Sequence, residues 1–133
     1  MLLTAFRESA IKELKDSHSV VFNQHDLLFK ATDTGNHRLL TFCDPASPEL
    51  QNSVTLLAGI RLKCPHDIVL DQSAGWLYSL NPDSSIVFRF KAVGENSDSL
   101  DLSQYLGFSR ALSVVNDRLY IIGSSAGCVV RGF

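Results

Sequence analysis

Three side chains that can bind metals or anions stand at matching places in this sequence. Each comes just before a short apolar run that is typical of a β-strand; they are His18, His66 and Arg110. Neutral imidazole is a common metal ligand, so His18 and His66 predict a candidate site for a divalent metal. Arginine repels a cation and favours a carboxylate or a phosphate, so all three together predict a site for an anionic or polar small molecule. A structural role, with each imidazole bonded to a turn, is the third possibility.

The matching places follow from an internal repeat. Residues 64–90 overlay residues 17–42, and this overlay aligns His66 with His18. A period in the forties with four short strands in each unit is typical of a β-propeller blade. The first strand of every blade starts near the central axis, so the repeat predicts that the three candidate residues meet there. The aromatic residues that mark the second strand of each unit are Phe29, Tyr78 and Tyr120.

The repeat predicts an all-β fold in one domain over residues 1–133, built of four-stranded antiparallel blades. The outer strand of the second blade is expected within residues 92–102, and the third blade is expected to have no outer strand. Residues 2–14 are consistent with either a short helix or a strand, a turn and a strand, and the overlay favours the strands. The strands of the first blade are predicted at 20–22, 27–32, 38–42 and 54–57. The blade pieces are about 1–16, 17–60, 61–105 and 106–133.

The turn and third strand of the first blade resemble the NHL repeat, which is named after an Asn-His-Leu signature at this place. The resemblance extends to the Pro-His-Asp start at 65–67 and to the Leu-Tyr pair at 77–78. It implies a structural role for the motif residues, with His37 and Arg38 anchoring one blade to the next. Those motif residues are Asp33, Gly35, Asn36, His37 and Arg38.

NHL propellers close with five or six blades, whereas this sequence has about three and a leading piece. Three blades leave two open faces rich in apolar side chains, and such faces tend to associate. We therefore expect a partial propeller, or one that is completed by oligomerisation. A homodimer in which each copy supplies half of the ring is the simplest form.

The resemblance implies two classes of function. The first is a binding or scaffold module that presents loops to a protein or small-molecule partner, as NHL modules do. The alternative is a metal- or anion-assisted lyase or hydrolase, because NHL-like amidating lyases hold a metal with histidines from Pro-His starts. Propellers of the lactonase type hold calcium, for which Asp71, Asn81 and Asp83 are conceivable ligands, although 81–84 is first of all a turn.

Composition excludes several other classes. The net charge is −2, with 12 basic and 14 acidic residues scattered along the chain, which argues against a nucleic-acid partner. No apolar run is long enough for a membrane helix, so we expect no membrane partner and a cytoplasmic location. Three cysteines without a metal-binding spacing predict free thiols. No nucleophile elbow, phosphate loop or zinc-protease motif is present.

Overall fold

The computed structural model describes residues 14–43, 50–91, 96–124, 126–131 and 133, and in these ranges the chain is built of β-strands. The strands form three antiparallel meanders and one separate two-stranded hairpin. This architecture confirms the predicted all-β class and its antiparallel blades. The prediction for residues 2–14 falls almost wholly outside the described residues.

The first meander, blade 1, has four strands in the order β1-β2-β3-β4. Its outer strand ends at residue 54, where the sequence predicted that it would begin. The chain reverses at Ala58 and Gly59, whose φ angles are 50° and 74°, a pair of positive values that suits a tight hairpin turn. Residues 56–57 therefore pair with 60–61 rather than with blade 1. The strands are β1 Ser17–Asn23, β2 Leu28–Asp33, β3 Arg38–Phe42, β4 Leu50–Val54, β5 Leu56–Leu57 and β6 Ile60–Arg61.

Blades 2 and 3 follow the predicted pattern. Blade 2 has four strands, and its outer strand lies within the range expected from the sequence. Blade 3 has three strands in the described part of the chain. The strands of blade 2 are β7 Ile68–Leu70, β8 Leu77–Asn81, β9 Ile86–Phe90 and β10 Asp98–Asp101. Those of blade 3 are β11 Ser109–Val115, β12 Arg118–Gly123 and β13 Gly127–Arg131.

The core lies between the blades. One apolar cluster joins blades 1 and 2 and includes Leu39, Leu77 and Phe88. A second cluster joins blades 2 and 3 and includes Leu80 and Leu119. Alternate residues of a strand point to opposite faces, so every residue of β8 is buried because blade 2 has a neighbour on each side.

The three first strands, β1, β7 and β11, lie side by side, with β7 in contact with both of the others. They form the inner edge of the arc, and His18, His66 and Arg110 lie at or just before the beginning of these strands. In the described part of the chain, no helix has the length and apolar character needed to cross a bilayer.

Candidate functional site

The structure brings together the two histidines that the repeat aligned. Their imidazole rings stack with centroids 4.0 Å apart and an angle of 29° between the ring planes. The Arg110 guanidinium lies over the ring of Phe108, 4.7 Å from its centroid. Arg110 is also close enough for its charge to act on His66. We call this set of side chains from three blades the axial site: His18, His66 and Arg110.

The axial site favours the neutral form of one imidazole. Burial lowers the pKa of His66 below its ordinary value, the positive charge of His18 lowers it further, and Arg110 adds to the effect. The carboxylate of Asp67 acts in the opposite direction and does not overcome the rest. A negative charge bound beside the ring would therefore raise the pKa of His66 and favour its protonated form.

Asp67 connects the three inner strands. The Oδ1 atom accepts hydrogen bonds from the Ser19 hydroxyl at 3.1 Å and from the Ile68 amide at 3.0 Å. The Oδ2 atom accepts from the Leu112 amide at 2.9 Å. Both carboxylate oxygens are thus engaged in joining β1, β7 and β11. Asp67 therefore caps the beginning of β7 and also links that strand to the two neighbouring blades.

The stacked histidines present an arrangement that suits an anion better than a divalent metal. Ligands of one metal ion point at a common centre about 2.0–2.1 Å from each nitrogen. The two stacked rings instead hold their lone pairs in separate planes that are 29° apart, and Arg110 adds positive charge beside His66. In the described ranges, no group of three or more His, Cys, Asp or Glu side chains is arranged to hold a metal ion. The metal site at His18 and His66 stays a prediction.

The turn between β2 and β3 is built around the buried carboxylate of Asp33. It accepts hydrogen bonds from the Lys15 amide at 2.8 Å, from the Asn36 side chain at 3.0 Å and from Arg38 Nε at 2.7 Å. This Arg38 bond lies within blade 1. The motif residues thus hold the start of β1 against the β2–β3 turn, which places His18 at the axis.

His37 and Gly35 have distinct local roles in the turn between β2 and β3. Residues 34–36 form a single 3₁₀ turn, and the positive φ, 55°, falls on His37 rather than on Gly35 or Asn36. A Cβ atom on Gly35 would lie 2.9 Å from the Lys15 carbonyl oxygen, so close approach is what requires glycine there. The His37 ring accepts a hydrogen bond from the Cys64 amide at 3.0 Å, and this contact leads to blade 2.

The conceivable calcium ligands lie apart. Asp71 caps the turn after β7, and although burial alone would raise its pKa, hydrogen bonds from Ser73 and Ala74 outweigh burial and lower it. Asn81 lies at the far end of β8, about 16 Å along the strand at 3.3 Å per residue, and bonds the backbone of residues 61 and 63. The Asp71 side chain thus holds a turn, whereas the Asn81 side chain joins the end of β8 to the segment at residues 61–63. His25 is exposed, and its Nε2 atom contacts the Gln72 carbonyl oxygen of blade 2 at 2.6 Å.

One exposed aromatic side chain, that of Phe108, lies beside Arg110, and a second precedes it in the same loop. Tyr105 and Phe108 belong to the loop that leads from β10 to β11, and both are exposed. Phe108 supports Arg110 by the ring contact described above. Loops that enter inner strands gather at one end of a propeller. The position of these residues before β11 could therefore have indicated them from the sequence.

The chain was compared with known proteins. No protein family matches it, and no curated protein matches it. Among solved structures it is similar to a candidate 6-phosphogluconolactonase from Bacteroides uniformis, with a TM-score of 0.57 and 16% sequence identity. The fold is of the β-propeller type. The match covers 96% of this chain but 43% of that protein, so this propeller-type chain spans less than half of that protein's length.

Proposed function

We propose that the axial site binds a small molecule that carries a phosphate or carboxylate group. The observation that carries this proposal is the meeting of His18, His66 and Arg110 from three blades at one end of the arc. The one carboxylate beside them that acts on His66, that of Asp67, is engaged by three hydrogen-bond donors. An incoming anion would therefore meet positive charge and imidazole donors together.

We further propose that the reaction is hydrolysis of a phosphorylated sugar lactone, which the name of the structural neighbour supports. Arg110 would hold the phosphate. A free ring nitrogen of neutral His66 would take a proton from water while the water oxygen bonds to the lactone carbonyl carbon. The ring C–O bond then breaks and its oxygen takes up the proton, which yields the hydroxy acid and returns His66 to its neutral form.

The two parts of the proposal are tested separately. Sulfate keeps its charge near neutral pH, so we expect it to give saturable chemical-shift changes at the His18 and His66 rings in an NMR titration. Arg110→Ala should weaken sulfate binding about tenfold, a loss of one charge-assisted bond. The matched control is Arg118→Ala, because Arg118 is exposed at the other end of the same hairpin. Equal binding by both variants would refute the anion site.

Lactone hydrolysis is measured as acid release from 6-phosphogluconolactone above the rate without enzyme. His66→Ala should abolish the added rate, while Arg110→Ala should raise KM more than it lowers kcat because Arg110 holds the phosphate rather than the reacting carbonyl. Sulfate binding without lactone hydrolysis would retain the anion site and reject this reaction.

A scaffold role is the second candidate, and the exposed aromatic pair Tyr105 and Phe108 favours it. We propose on this reading that the chain is an NHL-type blade array whose loops at the axial end contact a protein partner. His18→Ala with His66→Ala would leave such binding intact, whereas Tyr105→Ser with Phe108→Ser would remove it. Crosslinking from a photoreactive residue placed at 105, compared between these two double variants, distinguishes the two functions.

A further inference from the structure

Arg110 stands in a β-bulge at the beginning of blade 3. The pairing of β11 with β12 shifts by one residue between Ser109 and Ala111, so Arg110 is the extra residue on β11. A bulge breaks the regular alternation of a strand, and bulges beside functional sites re-aim a side chain in this way. The direction in which Arg110 leaves β11 therefore depends on what holds the bulge in place.

Two buried hydroxyl groups join the bulge to blade 2. The Ser109 hydroxyl donates a hydrogen bond to the Ser85 hydroxyl oxygen at 2.9 Å, and the Ser85 hydroxyl donates to the Gly107 carbonyl oxygen. Both serines are 0% exposed, so neither hydroxyl can bond to bulk water instead. We call this chain of hydrogen bonds the serine clamp; its members are Ser109, Ser85 and Gly107.

The backbone around Phe108 strengthens the serine clamp. The Phe108 carbonyl oxygen accepts a hydrogen bond from the Ser124 amide of blade 3 at 2.7 Å, and the Ser109 amide donates to the Pro82 carbonyl oxygen of blade 2 at 3.0 Å. The segment before Arg110 is thus bonded on both sides. Because the Phe108 ring lies against the Arg110 guanidinium, holding this segment also holds the guanidinium.

Ser85 has a backbone conformation that serine rarely adopts. Its φ is 52° and it directly precedes β9, just as His37, with a φ of 55°, directly precedes β3. The two residues are equivalent in strand pairing. Both side chains reach the segment that leads into the next inner strand, His37 at the Cys64 amide and Ser85 at the Gly107 carbonyl. Glycine would adopt this φ without strain, so the turn itself does not need the Ser85 hydroxyl, and the role of that hydroxyl is the bond toward blade 3.

We propose that Ser85 and Ser109 are positioning residues for Arg110 in the axial site. Through the serine clamp they hold Phe108 and the bulge, which keeps the guanidinium beside His66. A preorganised cation binds an anion more tightly than one that must first be ordered, so the clamp should raise the affinity for an anion there. This consequence rests on the proposed anion site. A role in blade packing alone would leave the direction of Arg110 unchanged.

Two variants remove the hydroxyl groups one at a time. Ser85→Gly loses its hydroxyl at a φ that glycine adopts without strain, and Ser109→Ala loses the other. The charge of Arg110 lowers the pKa of His66 whether or not an anion is bound, so an NMR titration of the His66 ring proton reports where the guanidinium lies. Each variant should raise the His66 pKa, and by no more than Arg110→Ala does. Leu80→Ala is the matched control, because it leaves a cavity between the same two blades but keeps both hydroxyls, and it should not change the His66 pKa.

A double variant gives the decisive result. With Arg110→Ala already present, Ser85→Gly should leave the His66 pKa unchanged, because the charge that the serine clamp positions is gone. An equal rise with and without Arg110 would overturn the proposal. So would an unchanged His66 pKa in both Ser85→Gly and Ser109→Ala.

Sulfate titration separates this inference from the proposed function. Ser85→Gly should weaken sulfate binding about threefold, since the guanidinium is displaced rather than lost. If Arg110→Ala leaves the sulfate affinity unchanged while Ser85→Gly raises the His66 pKa only when Arg110 is present, the anion site is rejected and the positioning role stands. If Arg110→Ala weakens sulfate binding but both serine variants keep the affinity and the His66 pKa of the unmodified protein, the positioning role is rejected and the anion site stands.

Discussion

Asp33 is a single residue on which the geometry of blade 1 depends. Its side chain is fully buried, and burial by itself would raise its pKa. Hydrogen bonds from the Lys15 amide, Asn36 and Arg38, together with the charge of Arg38, outweigh burial and lower the pKa below 3.8. A carboxyl group with a lowered pKa stabilises the fold above its unfolded-state pKa, and that stability is lost as the pH falls through the folded-state value.

Asp33→Asn should therefore lower the free energy of unfolding at pH 7 by about 1–3 kcal/mol, because buried donors lose a charged acceptor. The difference from the unmodified protein should shrink as the pH falls through the lowered pKa of Asp33, where the carboxylate itself takes up a proton. Urea unfolding at pH 7 and pH 3 measures both effects. Asp98→Asn is the control: Asp98 also pairs with an arginine but is 56% exposed, so its loss should cost about 0.2–1 kcal/mol.

His66 makes the predicted anion site sensitive to pH. Its pKa lies below the ordinary 6.5 in the folded protein, for the reasons of burial and neighbouring charge given above. Sulfate should bind more tightly as the pH falls below 6.5, since the protonated ring is the form that an anion stabilises. Bound sulfate should raise the His66 pKa by linkage. Calorimetric titrations at pH 7.5 and pH 5.5 measure the affinity, and tighter binding at pH 7.5 would contradict the prediction.

Substitution of the stacked neighbour gives an independent check on the His66 pKa. His18→Ala removes a like charge and should raise the pKa, whereas Asp67→Asn removes the opposing carboxylate and should lower it. The chemical shift of the His66 ring proton followed through pH 4.5–8 gives the value in each variant.

At the scale of elements, the Asp67 side chain links the three inner strands β1, β7 and β11 by hydrogen bonds. Asp67→Asn retains one acceptor but turns an amide group toward a backbone donor, so at least one of the three hydrogen bonds is lost. We expect a loss of about 1–3 kcal/mol and faster hydrogen exchange at the Leu112 amide. Ser19→Ala removes one bond only and should cost about 0.5–1.5 kcal/mol. Unchanged exchange at Leu112 in Asp67→Asn would contradict the assigned link.

The repeat predicted most of the elements because the apolar runs of a blade are local signals. It placed the three inner strands and aligned His18 with His66, whose rings do meet. The repeat misplaced the outer strand of blade 1 because the chain reverses at Ala58, which has a positive φ. Alanine has no preference for positive φ, so the sequence did not indicate a turn there. The stacking of the two histidine rings and the three hydrogen bonds that Asp67 accepts depend on how closely the blades approach each other. The spacing of residues in the sequence does not specify that distance.

At the scale of the whole molecule, the apolar packing that stabilises the fold is concentrated at blade 2. Both apolar clusters rest on its two faces, so its strands lose solvent on each side. Blade 3 packs on blade 2 at one face, and Tyr120, Ile122 and Val129 on its other face are exposed. Those exposed side chains therefore add little to the stability of the folded chain.

Leu80 and Ile122 occupy equivalent positions in blades 2 and 3. Their substitution by alanine therefore compares a covered face with an exposed one. Leu80→Ala, in the cluster between blades 2 and 3, should cost about 2–5 kcal/mol because it leaves a cavity. Ile122→Ala, at the same place in blade 3, should change stability by no more than about 0.5 kcal/mol because the side chain is exposed. Urea unfolding of the two variants measures both losses. A loss of about 2 kcal/mol or more for Ile122→Ala would show that this face of blade 3 is covered in the folded protein.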